Sequence, residues 1–263
     1  MNWRGGWALI QSTWSSWMQY RSFFFLLAFS WMIPPLIYLF VWSTAAGGKT
    51  VGGMTSGEFV AYYLVLILVN QVTYSQTNWT LGDVIRMGTF SAWLLRPLPA
   101  LFHVLSSELA GKVVYLVFVV PVGLLLALVL RPELNAGPAQ VLSFLLALGM
   151  AWSLRFTWGL WLAMLAFWAS RADGLLAVQD SLVFLLAGVV APLSLLPESL
   201  QTAARVLPFW YMVGFPVEAL TGKLSGPELI SGFAVQAGWL ALAVLLSRLV
   251  WVQGTKRYTA VGG

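Results

Sequence analysis

The residues able to carry chemistry are few and scattered. His103 is the only histidine, nine Asp and Glu residues are spread along the chain, and there is no cysteine. A lone imidazole cannot build a multi-histidine metal site, and no carboxylate cluster accompanies it. The reading for His103 is therefore packing or an interfacial position. The missing cysteines exclude disulfides, thiolate metal sites and cysteine nucleophiles. The stretch STAAGGKT at 43–50 nearly matches a phosphate-binding loop, but Ser43 stands at the first glycine and no strand precedes it. It is discarded as an ATP site. No acid–base or metal centre of an enzyme is visible elsewhere.

A second group of polar residues lies inside apolar sequence. Asn70, Tyr74 and Thr77 recur at helical spacing, with Asn78 beside them and Tyr63 one heptad earlier. Unpaired polar groups cost several kcal/mol each in hydrocarbon, so this face must meet water, another helix or the end of the span. A solute path and ordinary interhelical hydrogen bonding both satisfy that demand. Arg155 and Asp180 are the charged residues assigned to spans, and a direct pair between them is one arrangement considered. Intramembrane charges are functional suspects by default, although both lie near a predicted surface.

The elements that position these residues follow from composition. Of 263 residues, 60% are hydrophobic and 9% charged. Soluble domains carry about a quarter charged residues, so this chain cannot cover a core with polar surface and belongs in a membrane. Fifteen tryptophans agree, because Trp favours the membrane–water interface. A span needs about 20 mostly apolar residues. Six segments qualify: 23–42, 58–78, 109–130, 139–168, 174–192 and 227–250. With the N-terminus inside, nine of the fourteen Lys and Arg residues fall on inner segments, four on outer ones, and Arg155 within a span. That split fits both termini being cytoplasmic. The net charge of +5 then reads as a topology signal, not as a nucleic-acid footprint.

The chain is thus one transmembrane domain over 1–263, all-α, with three special regions. In residues 1–21, Trp3, Trp7, Ile10, Trp14 and Trp17 share a helical face, as expected of a helix lying in the interface plane. A disordered leader is the plainer reading, and a signal peptide does not fit. Residues 43–57 form a flexible outer loop. In 192–226, Pro192, Pro197, Pro208 and Pro216 divide the chain into short pieces, and Pro197-Glu198 suits a helix start. Two short re-entrant helices are expected there, against an ordinary outer loop. In 79–108, Leu81, Ile85, Phe90, Trp93 and Leu94 are apolar knobs among Asp83, Arg86 and Arg96, and Pro97 and Pro99 end any helix. Aromatics with an arginine suit a protein interface core; a helix resting on lipid headgroups is the alternative.

The interfacial leader, six spans, GTFSAWLLRPLP at 88–99, APLSLLPESL at 191–200, LPFWYMVGFPVEALTGK at 207–223 and the terminal GTKRYTAVGG together resemble an ABC type-2 exporter permease. The chain looks most like the bacterial two-permease group. The resemblance implies that residues 1–21 are an elbow helix. It also implies that Asp83, Arg86, Phe90, Trp93, Leu94, Arg96 and Pro97 dock on an ABC ATPase. Pro192, Pro197, Glu198, Pro208 and Pro216 would then shape an outer gate. By the same analogy Tyr63, Asn70, Tyr74, Thr77 and Asp180 are path-lining candidates. Two ATPase copies carrying ATP and Mg would drive transport, and this chain would bind no cofactor itself. A second permease would complete the path, a sister chain being favoured over a second copy. Membrane lipid is the remaining partner, in the bacterial inner membrane. An autonomous secondary transporter or channel, and a non-transporting scaffold, are the rival classes.

Overall fold

A computed structural model describes residues 3–96, 98–169 and 172–258. The expectations for Pro97, for Arg171, for the side chains of Trp3, Arg4 and Arg21, and for residues 259–263 fall outside that description.

The described residues are helical apart from short connections and an isolated bridge between Val51 and Met54. Five helical segments are long and apolar enough to cross a membrane: Phe25–Ala46, Ser56–Arg86, Ala100–Leu130, Pro138–Phe167 and Gly226–Arg257. They belong to α2 (Arg21–Ala46), α3 (Ser56–Thr73) with α4 (Gln76–Arg86), α6 (Ala100–Leu130), α7 (Pro138–Met164) and α12 (Gly226–Arg257). α5 (Phe90–Leu94) joins α4 to α6. Local chemistry sets the starts. Thr55 and Glu58 cap α3 reciprocally, and Ser225 and Glu228 do the same for α12. At the end of α6 Arg131 takes a left-handed conformation, with φ of 49°.

The expected elements shift in three places. The second span does not run unbroken to 78: it breaks at Tyr74–Ser75 and resumes as α4 to Arg86. This break ends the single polar face proposed for Asn70, Tyr74 and Thr77, because Tyr74 has extended backbone. The third span begins at Ala100, so the connection between helices shrinks from 79–108 to 87–99. The fifth predicted span is a 14-residue helix, α8 (Asp173–Leu186), followed by irregular chain. At 1.5 Å per residue it covers about 21 Å of a hydrocarbon layer about 30 Å thick. The irregular continuation is buried, with Ala187, Val189, Ala191 and Leu193 all nearly inaccessible. Non-helical backbone at such depth is tolerated only inside protein.

The segment 192–226 holds three short helices and a 3₁₀ turn where two helices were expected. They are Leu193–Leu195, α9 (Glu198–Val206), α10 (Phe209–Met212) and α11 (Gly214–Leu220). Leu200 and Ala204 of α9, with Leu207 just beyond its end, pack against the main core. α1 (Trp3–Gln19) packs on α6, where Trp17 meets Tyr115 edge-on at 6.3 Å. A Cβ on Gly111 would lie 2.8 Å from the Trp17 ring, so glycine permits that approach. α7 and α12 form the most extensive helix pair, and α3 wedges between α2, α6 and α7. The apolar flank of α6 stays bare, with Leu124, Leu125, Leu128 and Val129 each more than 60% exposed, as suits a helix facing lipid.

Candidate functional site

At one end of the bundle α5 is fixed by an aromatic anchor. Phe90 is fully buried and packs edge-on against Phe167, Trp251 and Tyr258, with ring centroids 5.6, 5.9 and 5.3 Å away. The Tyr258 hydroxyl donates to the Gly88 carbonyl at 2.7 Å and accepts the Ser91 amide at 3.2 Å. Trp93 stacks on His103 at 5.3 Å. These contacts correct the docking assignment of Phe90, which offers no surface and serves as the anchor. Trp93 is half-buried for the same reason. What faces outward is Asp83 and Arg86, paired with each other at 2.5 Å, together with Met87, Leu94, Leu95 and Arg96. Leu95, overlooked in the sequence, is 87% exposed.

Behind this end lies a buried polar core around the break in the second span. Arg155 of α7 is 3% exposed. Its Nη1 donates to Asn70 Oδ1 at 2.8 Å and to Thr73 Oγ1 at 3.2 Å, and Nη2 reaches Asp180 Oδ1 at 3.5 Å. Its guanidinium lies 5.3 Å from the centre of the Tyr74 ring. A second ion pair, missed in the sequence, joins Lys112 to Glu108 at 2.9 Å. Ser75 Oγ and Trp152 Nε1 donate to the same carboxylate at 2.9 and 3.3 Å, and Lys112 donates to the Tyr74 carbonyl. That carbonyl is freed by the helix break, so the ammonium supplies the hydrogen bond that continued helix would have made. The signal was present: Glu108 and Lys112 stand at i,i+4, the ion-pair spacing of a helix.

Of the path-lining candidates, Asn70 and Asp180 keep partial exposure and Tyr63, Tyr74 and Thr77 are buried within this chain. Tyr63 is corrected most clearly. Its hydroxyl donates to the Val190 carbonyl at 3.1 Å, beside Trp42 Nε1 at 2.8 Å. Tyr62 donates to the Gly188 carbonyl at 3.1 Å. These side chains satisfy the backbone that leaves α8. Thr77 faces the interior with its hydroxyl unpartnered among the described residues.

At the opposite end, α9–α11 close over α3, α7 and α8. Pro192, Pro208 and Pro216 are buried, whereas Pro197 and Glu198 are exposed at the start of α9. Lys223 pairs with Glu58 at 2.6 Å and Arg205 with Glu228 at 3.6 Å. Among the described residues no group of three or more His, Cys, Asp or Glu side chains is placed to hold a metal ion.

A helical bundle with five helices long and apolar enough to cross a membrane, a short anchored helix at one end and broken helices at the other has the form of a multi-pass membrane protein. The family described as ABC-2 family transporter protein matches residues 29–262, and the chain belongs to it. It is therefore the permease subunit of an ABC transporter, a transport component and not the ATPase. Membrane subunits of this family work with ABC ATPase partners. No curated protein matches the chain.

Proposed function

We propose that the chain is the membrane half of an ATP-driven exporter and that energy enters through the surface of α5. The observation that carries this reading is the combination of a buried Phe90 and an exposed Met87–Leu94–Leu95–Arg96 surface. A helix that only rested on headgroups would not need its base locked into α12 and the end of α7. Arginine beside exposed apolar side chains suits a groove on a protein partner. Closure of two ATPase copies on ATP and Mg would push α5 and, through Phe90 and Tyr258, turn α12 as a rigid body.

The second permease completes the path, and a sister chain is favoured over a second copy. Asn70 and Asp180 are the path candidates that retain access, each held by Arg155. The membrane is the bacterial inner membrane, with both termini cytoplasmic. That orientation puts α5 on the ATP side and α9–α11 at the exit.

The test is a mild-detergent pull-down of the tagged chain, expressed with its native neighbours, with subunits counted by mass spectrometry. A stoichiometric ATPase should accompany wild type and be lost on Leu95→Asp with Arg96→Glu, while the chain still reaches the membrane. Full ATPase retention and full transport in that double variant would overturn the docking assignment.

A further inference from the structure

A cavity of about 270 Å³ opens at the end of the bundle away from α5. The turn at 51–54, the chain at 192–194, α9, α11 and the first turn of α12 line it. Its cations already have partners, Lys223 in Glu58 and Arg205 in Glu228. Glu218 on the α11 wall forms no ion pair among the described residues. It is 8% exposed, and its Oε1 has no hydrogen-bond partner among the described residues. The Trp210 indole N–H and the Leu193 backbone amide are the neutral donors beside the carboxyl. Arg205, Glu228 and the Tyr62 hydroxyl are the charged and titratable groups facing it from α9, α12 and α3. Burial pushes the Glu218 carboxyl up to about 7. Near neutral pH this wall therefore holds either a proton or a cation.

We infer that this cavity binds a protonated amine, with Glu218 as its counter-ion. An anion would have to displace Glu58 or Glu228 from the two cations. A metal ion needs several ligands, and Glu218 is not part of any such group among the described residues. An ammonium needs one carboxylate and neutral acceptors. Tyr62, whose hydroxyl proton is committed to Gly188, and Ser194 are among the residues lining the same cavity. The volume is just below the range of about 300–1,000 Å³ typical of drug-sized sites, so a small aminoethyl-type group fits. Such a group arrives on a soluble amine or on an aminolipid headgroup. Binding to the protonated acid releases one proton to solvent as the ammonium enters.

The experiment uses the full chain in nanodiscs of phosphatidylglycerol, with ethanolamine as probe. Calorimetry in two buffers of different ionisation heat reads both affinity and proton release. Ethanolamine should bind with close to one proton released at about pH 6 and almost none at about pH 8. Affinity should rise about tenfold per pH unit below the carboxyl's titration and level off above it. Glu218→Gln has the shape of the protonated acid and should weaken binding at least about tenfold. The absence of ethanolamine binding, binding at about pH 6 without proton release, or binding indifferent to Glu218→Gln would each overturn the assignment. The proton count is read on wild type, so it stands even if the variant folds poorly. Adding phosphatidylethanolamine identifies the source: competition assigns the lipid headgroup, and an unchanged isotherm assigns the soluble amine. No ATPase takes part, so failure here leaves the exporter reading untouched.

Discussion

Two runs of backbone leave helical geometry inside the bundle, and they are repaired by different chemistry. At Tyr74–Ser75 the repairs are ionic: Lys112 serves the Tyr74 carbonyl, Glu108 receives the Ser75 hydroxyl, and Arg155 binds Asn70 and Thr73 just before the break. At 187–191 they are neutral: Tyr62, Tyr63 and Trp42 donate to the carbonyls of Gly188 and Val190. A neutral donor is satisfied once its hydrogen bond forms. A buried charge is satisfied only while its counter-charge stays in place. The neutral repair therefore makes the α8 exit a fixed part of the scaffold. The ionic one makes the bend above α4 and α5 sensitive to every partner in its network.

The largest effect expected from this contrast is at Glu108. Glu108→Ala leaves Lys112 buried and unpaired and should cost about 3–5 kcal/mol, read as a large fall in detergent melting temperature. Glu108→Leu with Lys112→Met removes the unpaired charge but leaves the Tyr74 carbonyl, the Ser75 hydroxyl and the Trp152 indole without their partners, so it should recover only part of that loss. A double variant as unstable as the single would break the ionic account of the bend. Next is Arg155→Lys, which keeps charge but loses the planar fork that spans Asn70, Thr73 and Asp180. A loss of about 1–3 kcal/mol is expected, with transport falling further than expression. On the neutral side the two tyrosines should separate. Tyr62→Phe removes the donor to Gly188 and should cost about 1–3 kcal/mol. Tyr63→Phe should cost about 1 kcal/mol or less, because Trp42 still serves Val190. Equal losses would mean that carbonyl satisfaction is not their role.

A separate effect depends on pH. The Glu218 carboxyl titrates higher in the fold, at about 7, than the ordinary 4.5, so the folded state binds more protons between those values. Its contribution to stability is full below about pH 4.5 and is lost as pH rises through about 7. Melting of wild type should decline across that window, and Glu218→Gln should flatten the decline. The smallest effect on stability belongs to Leu95→Asp with Arg96→Glu, within about 0.5 kcal/mol, since both side chains are exposed. A variant that melts normally and yet loses its ATPase would separate docking from folding.

Much of the architecture was readable because hydrophobic length and proline placement are local signals. The five long helices, the amphipathic α1 and the fragmented 192–226 segment all follow from them. The break at Tyr74–Ser75 was not readable, since neither proline nor glycine marks it. It depends on Lys112, Glu108 and Arg155 arriving from α6 and α7. The burial of Phe90 was hidden for a related reason: its ring partners are supplied by Phe167, Trp251 and Tyr258, far along the chain. Glu108 and Lys112 had the right spacing but were placed in a loop and at a span end, where a pair carries little meaning. Arg155 and Asp180 were recognised as suspects because charge within an apolar run is itself a local signal.

The hydroxyl of Tyr258 carries a mechanical consequence. It grips Gly88 and Ser91 on either side of the turn into α5, while its backbone follows directly on α12. The short helix and the last long helix thus share one handle, although Gly88 and Tyr258 stand 170 residues apart in the chain. A force applied at α5 reaches the bundle through its chain neighbours α4 and α6 and also, by way of Tyr258, through α12 at the far end of the sequence. Leverage on a pair of helices produces rotation where leverage on one produces only bending.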